Sequence, residues 1–235
     1  MSDYGKLFLV STPIGNLGDM TYRAVEVLKS VEVIAAEDTR HTGILLKHFG
    51  IGTRQIPYHE HNEKRAVPVL IALLLEGKSV AVVSDAGTPS ISDSGYSLVK
   101  TCIEHNIEIV PIPGATALLS ALVISGLPTD RFCFEGFLPK SAGRLRSRLT
   151  ELANETRTMI FFESPYRLRK SLPVMFEIFG DRQAFIGREL TKKFEQTYRG
   201  SLGQLLERFS NETPKGELVL AVAGAGRDLK AEKFE

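Results

Sequence analysis

Ser79-Val80-Ala81-Val82-Val83-Ser84-Asp85-Ala86-Gly87-Thr88-Pro89-Ser90-Ile91-Ser92-Asp93-Ser94-Gly95 is the stretch on which the fold turns. Its first five residues are an apolar, β-branched run bounded by turn residues, which reads as a buried strand. The twelve from Ser84 to Gly95 are dominated by Gly, Ser, Asp, Thr and Pro. They cannot build a side-chain core, but they can bring backbone amides and small hydroxyls close to a ligand. A loop of that kind at the carboxyl end of a buried strand is where open α/β sheets bind ligands.

The flanking sequence repeats the arrangement. Leu7–Val10 reads as a strand, and Asp19 or Thr21 can cap a helix reaching Ser30. Val31–Ala36 is a strand, 42–49 a helix stopped by Gly50, and Gln55–Tyr58 a short strand. A helix spans Asn62–Glu76, with Pro68 producing a kink or a late start. After Ser79–Val83 come a helix at Tyr96–His105, a strand at Ile107–Ile112 and a small-residue helix at Thr116–Ser125. This β-α alternation argues a mostly parallel sheet with helices on both faces. Gly126-Leu127-Pro128-Thr129 reads as a linker, so residues 1–125 form one α/β domain and 130–235 a second. The second has strands at Arg131–Phe137, Thr158–Phe162 and Glu217–Ala223, and a hairpin pair at Gln183–Leu190 and Phe194–Gly200. Its helices are expected at Ala142–Asn154, Arg167–Phe179 and Leu202–Phe209. It is a mixed α/β domain, basic in character.

The chain has 235 residues, 43% hydrophobic and 24% charged, enough for two modest domains. No apolar run is long enough to span a bilayer and no signal-peptide pattern opens the chain, so a soluble cytoplasmic protein is expected. The two cysteines, Cys102 and Cys133, sit in no CxxC pair, which argues against a disulfide framework or a zinc site. Net charge is +1, unevenly placed: residues 1–130 hold 10 basic and 14 acidic side chains, residues 131–235 hold 19 and 14. A basic second half points to a polyanionic partner.

Five polar segments end strands: Ser11–Asn16, Ala36–Arg40, Ser84–Gly95, Pro111–Ala117 and Glu163–Arg167. Parallel strands place the first four on one rim, with the fifth, from the second domain, facing them across a cleft. Each alone has a plainer reading, as a turn or a helix start. Ser11–Asn16 is neither a P-loop nor a GxGxxG. Asp85 and Asp93 lack the neighbouring acids of a magnesium phosphotransferase, and His59-Glu60-His61 lacks a third ligand, so no metal is expected.

With these strings in place, the whole chain resembles the tetrapyrrole-methylase-like superfamily of S-adenosylmethionine-dependent methyltransferases. More narrowly, it resembles the bacterial branch that methylates a cytidine ribose 2′-hydroxyl in small-subunit ribosomal RNA. Further strings carry the resemblance: Tyr58–Glu63, Gly136-Phe137-Leu138-Pro139 and Arg188-Glu189-Leu190-Thr191-Lys192. The chain departs from the family pattern at Ser94, usually Pro, and Tyr166, usually His.

The resemblance implies two α/β domains with S-adenosylmethionine folded between them, within a homodimer. It places Pro13, Ala86, Gly87, Thr88, Ile91, Thr116 and Ala117 against the cofactor, with Phe162 and Leu190 closing over it. Small residues permit backbone approach, and helix N-termini suit the methionine carboxylate.

Methyl transfer from a sulfonium is an in-line displacement, so alignment is the main task. A ribose hydroxyl is a weak acid, and the expected base is one of Glu189, Asp38 and Glu163. Arg40, Arg167 and Lys192 are the expected contacts that orient RNA phosphate, and the basic run Lys140–Arg148, through Lys140 and Arg144, is expected to track the RNA backbone. Tyr166 is a candidate for stacking on a base. The residues are also compatible with a tetrapyrrole-type small-molecule methyltransferase and with a cofactor-dependent RNA or ribosome binder without turnover.

Overall fold

The computed structural model describes residues 4–210 and 214–226. The chain divides into two compact units, Met1–Thr116 and Ala117–Glu235.

The first unit is a five-stranded parallel sheet of β1 (Leu7–Val10), β2 (Val33–Ala36), β3 (Arg54–Pro57), β4 (Val80–Val83) and β5 (Ile109–Ile112), in the order β3-β2-β4-β1-β5. Its helices are α1 (Tyr22–Ser30), α2 (Thr39–His48), α3 (Glu63–Leu75) and α4 (Tyr96–Glu104). Strand periodicity sorts the side chains. Val33, Ala35, Val80 and Val82 pack with α3 and α4, whereas Ile34, Ala36, Ala81 and Val83 pack with α1 and α2. Both faces are therefore covered, which is why these strands read as continuous apolar runs.

The order of strands locates the binding position. β1 and β4 are neighbours, yet β1 leads into α1 on one face and β4 into α4 on the other. That is a topological switch point, where a crevice opens outside the carboxyl ends of the strands.

The second unit is a mixed sheet, β6 (Phe132–Phe137), β7 (Thr158–Glu163), β8 (Gln183–Arg188), β9 (Gln196–Ser201) and β10 (Leu218–Val222), in the order β6-β7-β10-β8-β9. Only β6 and β7 are parallel neighbours; β10 runs against both β7 and β8, and β8 against β9. Helices α6 (Ala142–Glu151), α7 (Pro165–Phe179) and α8 (Leu202–Arg208) cover one face through Leu145, Leu149, Leu168, Leu172, Leu202 and Leu205. Helix α5 (Ala117–Ser125) packs on β7, β8 and β10.

Several expectations shift. Helix α5 belongs to the second unit, so the division falls at Thr116/Ala117 rather than after Ser125. The expected linker is pinned down: Leu127 is buried, and the Thr158 hydroxyl donates to the Pro128 carbonyl at 2.6 Å. Helix α2 starts at Thr39 because Asp38 caps it, its carboxylate accepting from the Arg40 N–H. Thr21, not Asp19, caps α1. Helix α3 begins at Glu63 and runs through Pro68. Glu163 ends β7 and Pro165 opens α7, so Glu163–Arg167 is a strand-to-helix joint of one residue rather than a loop. Both cysteines are free, and burial pushes each thiol up to about 11, which disfavours the thiolate.

Candidate active site

At the switch point the loops after β1 and β4 are tied to each other. Thr12 and Gly87 exchange both backbone hydrogen bonds, at 2.9 and 3.1 Å, as an isolated antiparallel bridge. The Thr12 hydroxyl donates to the Ser84 carbonyl at 3.2 Å, and the Ser11 and Thr88 hydroxyls meet at 3.0 Å. Thr88 also donates to the Ala115 carbonyl at 3.4 Å, which brings in the segment after β5. The β2 end joins through Asp38, whose N–H donates to Asp85 Oδ1 at 3.1 Å, and through Glu37, which accepts from the Asp85 N–H at 3.3 Å. Four strand ends thus form one hydrogen-bonded rim. Pro13, Gly87, Thr88 and Thr116 lie in these segments, with Ala86 and Ile91 exposed on the β4 loop.

Close approach shapes this rim. Gly87 has φ +86°, and a Cβ there would stand 3.3 Å from Ile14 Cγ2; a Cβ on Gly114 would stand 2.9 Å from Ser11 Cβ. Ser90 and Ser92, in the same loop, hold positive φ values of 70° and 66°. Strain of this kind gathers at ligand clamps. The small residues at Gly87 and Gly114 let backbone segments approach closely here, the arrangement by which a strand-end rim can admit a ligand to main-chain groups. The rim also contains Ser11, Thr12, Ser84 and Gly114, which the sequence does not single out. All four lie inside the strand-end segments, and the folded rim is what joins them.

Acidic residues line the β2–β4 side. Burial raises the Glu37 carboxyl above its ordinary range, with Asp85 and Glu60 adding repulsion and the Asp85 N–H opposing it. Burial, then the charges of Glu37 and Asp85, push Asp93 up to about 6 against a bond from Ser84. The fold therefore favours neutral Asp93. Its stability contribution is complete below the unfolded value near 3.8 and is lost as pH rises through about 6. Asp93→Asn is expected to stabilise the protein at alkaline pH by on the order of 1 kcal/mol, after discounting for solvent screening, and to have little effect in acid. Thermal melts at both extremes check this; an equal shift at each would contradict it. Among the described residues no group of three or more His, Cys, Asp or Glu is placed to hold a metal ion.

The second unit offers two carboxylates. Glu163, 3% exposed, accepts from Ser164 N–H at 2.8 Å and from the Arg167 guanidinium at 2.7 and 2.5 Å. Glu189 lies just past β8, and its Oε1 accepts from the Lys192 ammonium at 3.0 Å and the Glu217 N–H at 2.8 Å. Burial alone would raise the Glu189 carboxyl, but those two bonds and the charges of Lys192 and Arg188 together hold the group below its ordinary range. Lys192 also pairs with Glu217 at 2.8 Å, so its ammonium is held above its ordinary range despite burial.

The turn carrying Glu189 is built with unusual provision. Glu189 and Thr191 have φ of 50° and 67°, costly for a β-branched Thr. Between them Leu190 is buried and folds back over Gly187, where a Cβ would come within 3.0 Å of it. Phe162 is half-buried on β7, meeting Phe134 and Phe137 edge to face.

The remaining expected contacts separate. Asp38 is spent on its cap and on Arg40, which hold its carboxyl far below the ordinary range; such a group is a weak base. Arg146 is engaged by Glu177, and Arg148 by Glu135 and Glu151, so much of the run 140–148 is already neutralised. Lys140 and Arg144 make no ion pair among the described residues.

Residues 6–206 match the model of the family described as Tetrapyrrole (Corrin/Porphyrin) Methylases. The chain belongs to that family of methyltransferases, and its two sheets are the family's fold. Among solved structures it is similar to the methyltransferase CobJ, with TM-score 0.69 and 21% identity over 96% of this chain and 97% of that one. It is also similar to uroporphyrin-III-C-methyltransferase from Thermus thermophilus, with TM-score 0.63 and 21% identity over 93% and 94%.

Sequence relatives are narrower. The chain is 54% identical to a Synechocystis protein named ribosomal RNA small subunit methyltransferase I, over 94% of this chain and 80% of that one. It is 51% identical to the protein of that name from Escherichia coli O157:H7, over 94% and 78%.

Proposed function

We propose that this protein transfers a methyl group from S-adenosylmethionine to the ribose 2′-hydroxyl of a cytidine in small-subunit ribosomal RNA. The relatives at about half identity support the substrate class. The observation that carries the chemistry is the rim knitted by Thr12 and Gly87 at the switch point. Pro13, Ala86, Gly87, Thr88, Ile91 and Thr116 are the first unit's candidates for holding the cofactor, and Ala117, Phe162 and Leu190 are those of the second.

The bound cofactor supplies an activated methyl on a sulfonium and leaves as a neutral thioether. Everything else falls to the chain. Glu189 is the base: its Oε1 is fixed by Lys192 and Glu217, leaving Oε2 for the proton of the attacking hydroxyl. The Lys192 charge beside it favours the oxyanion as it forms. Glu163 and Arg167 serve as a fixed pair that shapes the start of α7. Lys140 and Arg144 meet RNA phosphate, as does Arg40, whose side chain is 90% exposed although paired with Asp38.

The protein acts in the cytoplasm on the small ribosomal subunit, as a homodimer. Leu119, Val123 and Ile124 leave an exposed apolar stripe on α5 that a second copy would cover. No helix among the described residues is long and apolar enough to cross a membrane.

The test is transfer of radiolabelled methyl to small subunits from a strain lacking the gene, followed by nuclease mapping. Label at one 2′-O-methylcytidine is expected. Cofactor binding without label in any ribosomal RNA would overturn the reading.

A further inference from the structure

We propose that the end of the second sheet where β6, β7 and β8 finish is a platform for unpaired RNA, on which exposed aromatic rings stack bases and unpaired cations hold the intervening phosphates. This rests on the ribosomal RNA reading and deepens it, since it assigns single-stranded RNA rather than duplex as what the enzyme grips.

Strand direction puts the features together. β6 and β7 are parallel, and β10 is antiparallel to both β7 and β8, so β6, β7 and β8 all finish at one end. At each finish stands an exposed ring: Phe137 at the end of β6 (61% exposed), Tyr166 in the first turn of α7 after β7 (83%), and Phe194 after β8 (65%). Large aromatic side chains left this open invite a partner. The register of β6 on β7 shifts between Phe134 and Phe137, where Gly136 has φ +67°, and this bulge re-aims Phe137. Its ring is then steadied edge to face on Phe162, with centroids 5.4 Å apart.

Each ring has close to it in the chain a cation that makes no ion pair among the described residues. Lys140 lies three residues after Phe137, Arg169 and Lys170 lie one helical turn beyond Tyr166, and the Lys193 ammonium sits 5.6 Å from the Phe194 ring centroid. The contrast with Arg146, Arg148, Arg157, Arg167 and Lys192 is direct, because those are held by carboxylates. From β6 to β8 is three strand spacings, roughly 14 Å, the length of about four stacked nucleotides. Rings set among cations suit bases alternating with phosphates, whereas paired bases offer no free face for a ring. The Glu189 turn leaves the same end of the sheet, so a strand lying here passes the proposed base.

The experiment measures binding of the whole chain to a short labelled oligoribonucleotide, single-stranded and as its duplex, with S-adenosylmethionine affinity measured in parallel. The single strand is expected to bind at least tenfold more tightly. Tyr166→Ala and Phe194→Ala should each weaken it about tenfold, with Tyr166→Phe restoring it. All three should leave cofactor affinity unchanged. Replacing Arg169 and Lys170 together by Gln should flatten the salt dependence by the equivalent of about two phosphate contacts, while Arg146→Gln should not. Equal binding of duplex and single strand, or ring variants that bind normally, would overturn the platform. Methyl transfer to small subunits separates the two ideas. Single-strand binding as described without any ribosomal RNA methylation would sink the substrate reading and leave the platform. Normal methylation with silent ring variants would do the reverse.

Discussion

Glu189→Gln is expected to lose methyl transfer by about 10²–10⁴-fold in single turnover while binding S-adenosylmethionine as before. The substitution keeps an oxygen to accept from Lys192 and from the Glu217 N–H, so the turn retains its shape. What it removes is the capacity to take a proton. Because hydrogen bonds hold the Glu189 carboxyl below its ordinary range, it is ionised throughout the neutral region. The acid limb of the wild-type rate should therefore fall below the ordinary glutamate value of about 4.3. Glu163→Gln behaves differently: it weakens the partner of a largely buried Arg167 and should lower stability at least as clearly as rate. A Glu189→Gln enzyme with unchanged single-turnover rate would transfer the base role to Glu163, since Asp38 is held too far down to compete.

Gly87→Ala should weaken S-adenosylmethionine binding by at least thirtyfold, on the order of 2 kcal/mol. Two costs combine. The residue holds φ +86°, where an L side chain is strained by roughly 1–2 kcal/mol. The new methyl would also stand 3.3 Å from Ile14 Cγ2 on the β1 loop, which must give way. Either adjustment loosens the pair of backbone bonds with Thr12 that fixes the rim. Calorimetric titration of cofactor, with a thermal melt as control, reads the effect. An unaltered affinity would place the cofactor away from this bridge.

Much of this was legible in the residues. Val80–Val83 followed by the Ser84–Gly95 loop announced a buried parallel strand with a ligand at its end, because a strand covered on both faces has no polar alternation and a Gly/Ser/Thr loop has no core to join. The second sheet's mixed character was equally readable from the change in rhythm after residue 130. Helix and strand ends moved by a few residues wherever a cap decided them, as at Asp38 and Thr21. Helix α5 is apolar all round, a pattern that does not tell which unit it joins or which of its faces stays exposed.

Charge was the least legible property. The run Lys140–Arg148 looks uniformly cationic in one dimension, yet Glu177, Glu135 and Glu151 are folded onto two of its arginines. Nothing near Glu189 in the chain predicts that the backbone at Gly216–Glu217 would hold it; a Cβ on Gly216 would come within 2.5 Å of its carboxyl group. The sequence by itself determined the two α/β units, the strand-end loops and the family, since periodicity and backbone-permissive residues are local properties. Only the tertiary structure decided which hydroxyls, carboxylates and cations are already satisfied and which stand free, because hydrogen bonds and ion pairs form between residues the chain brings together from far apart.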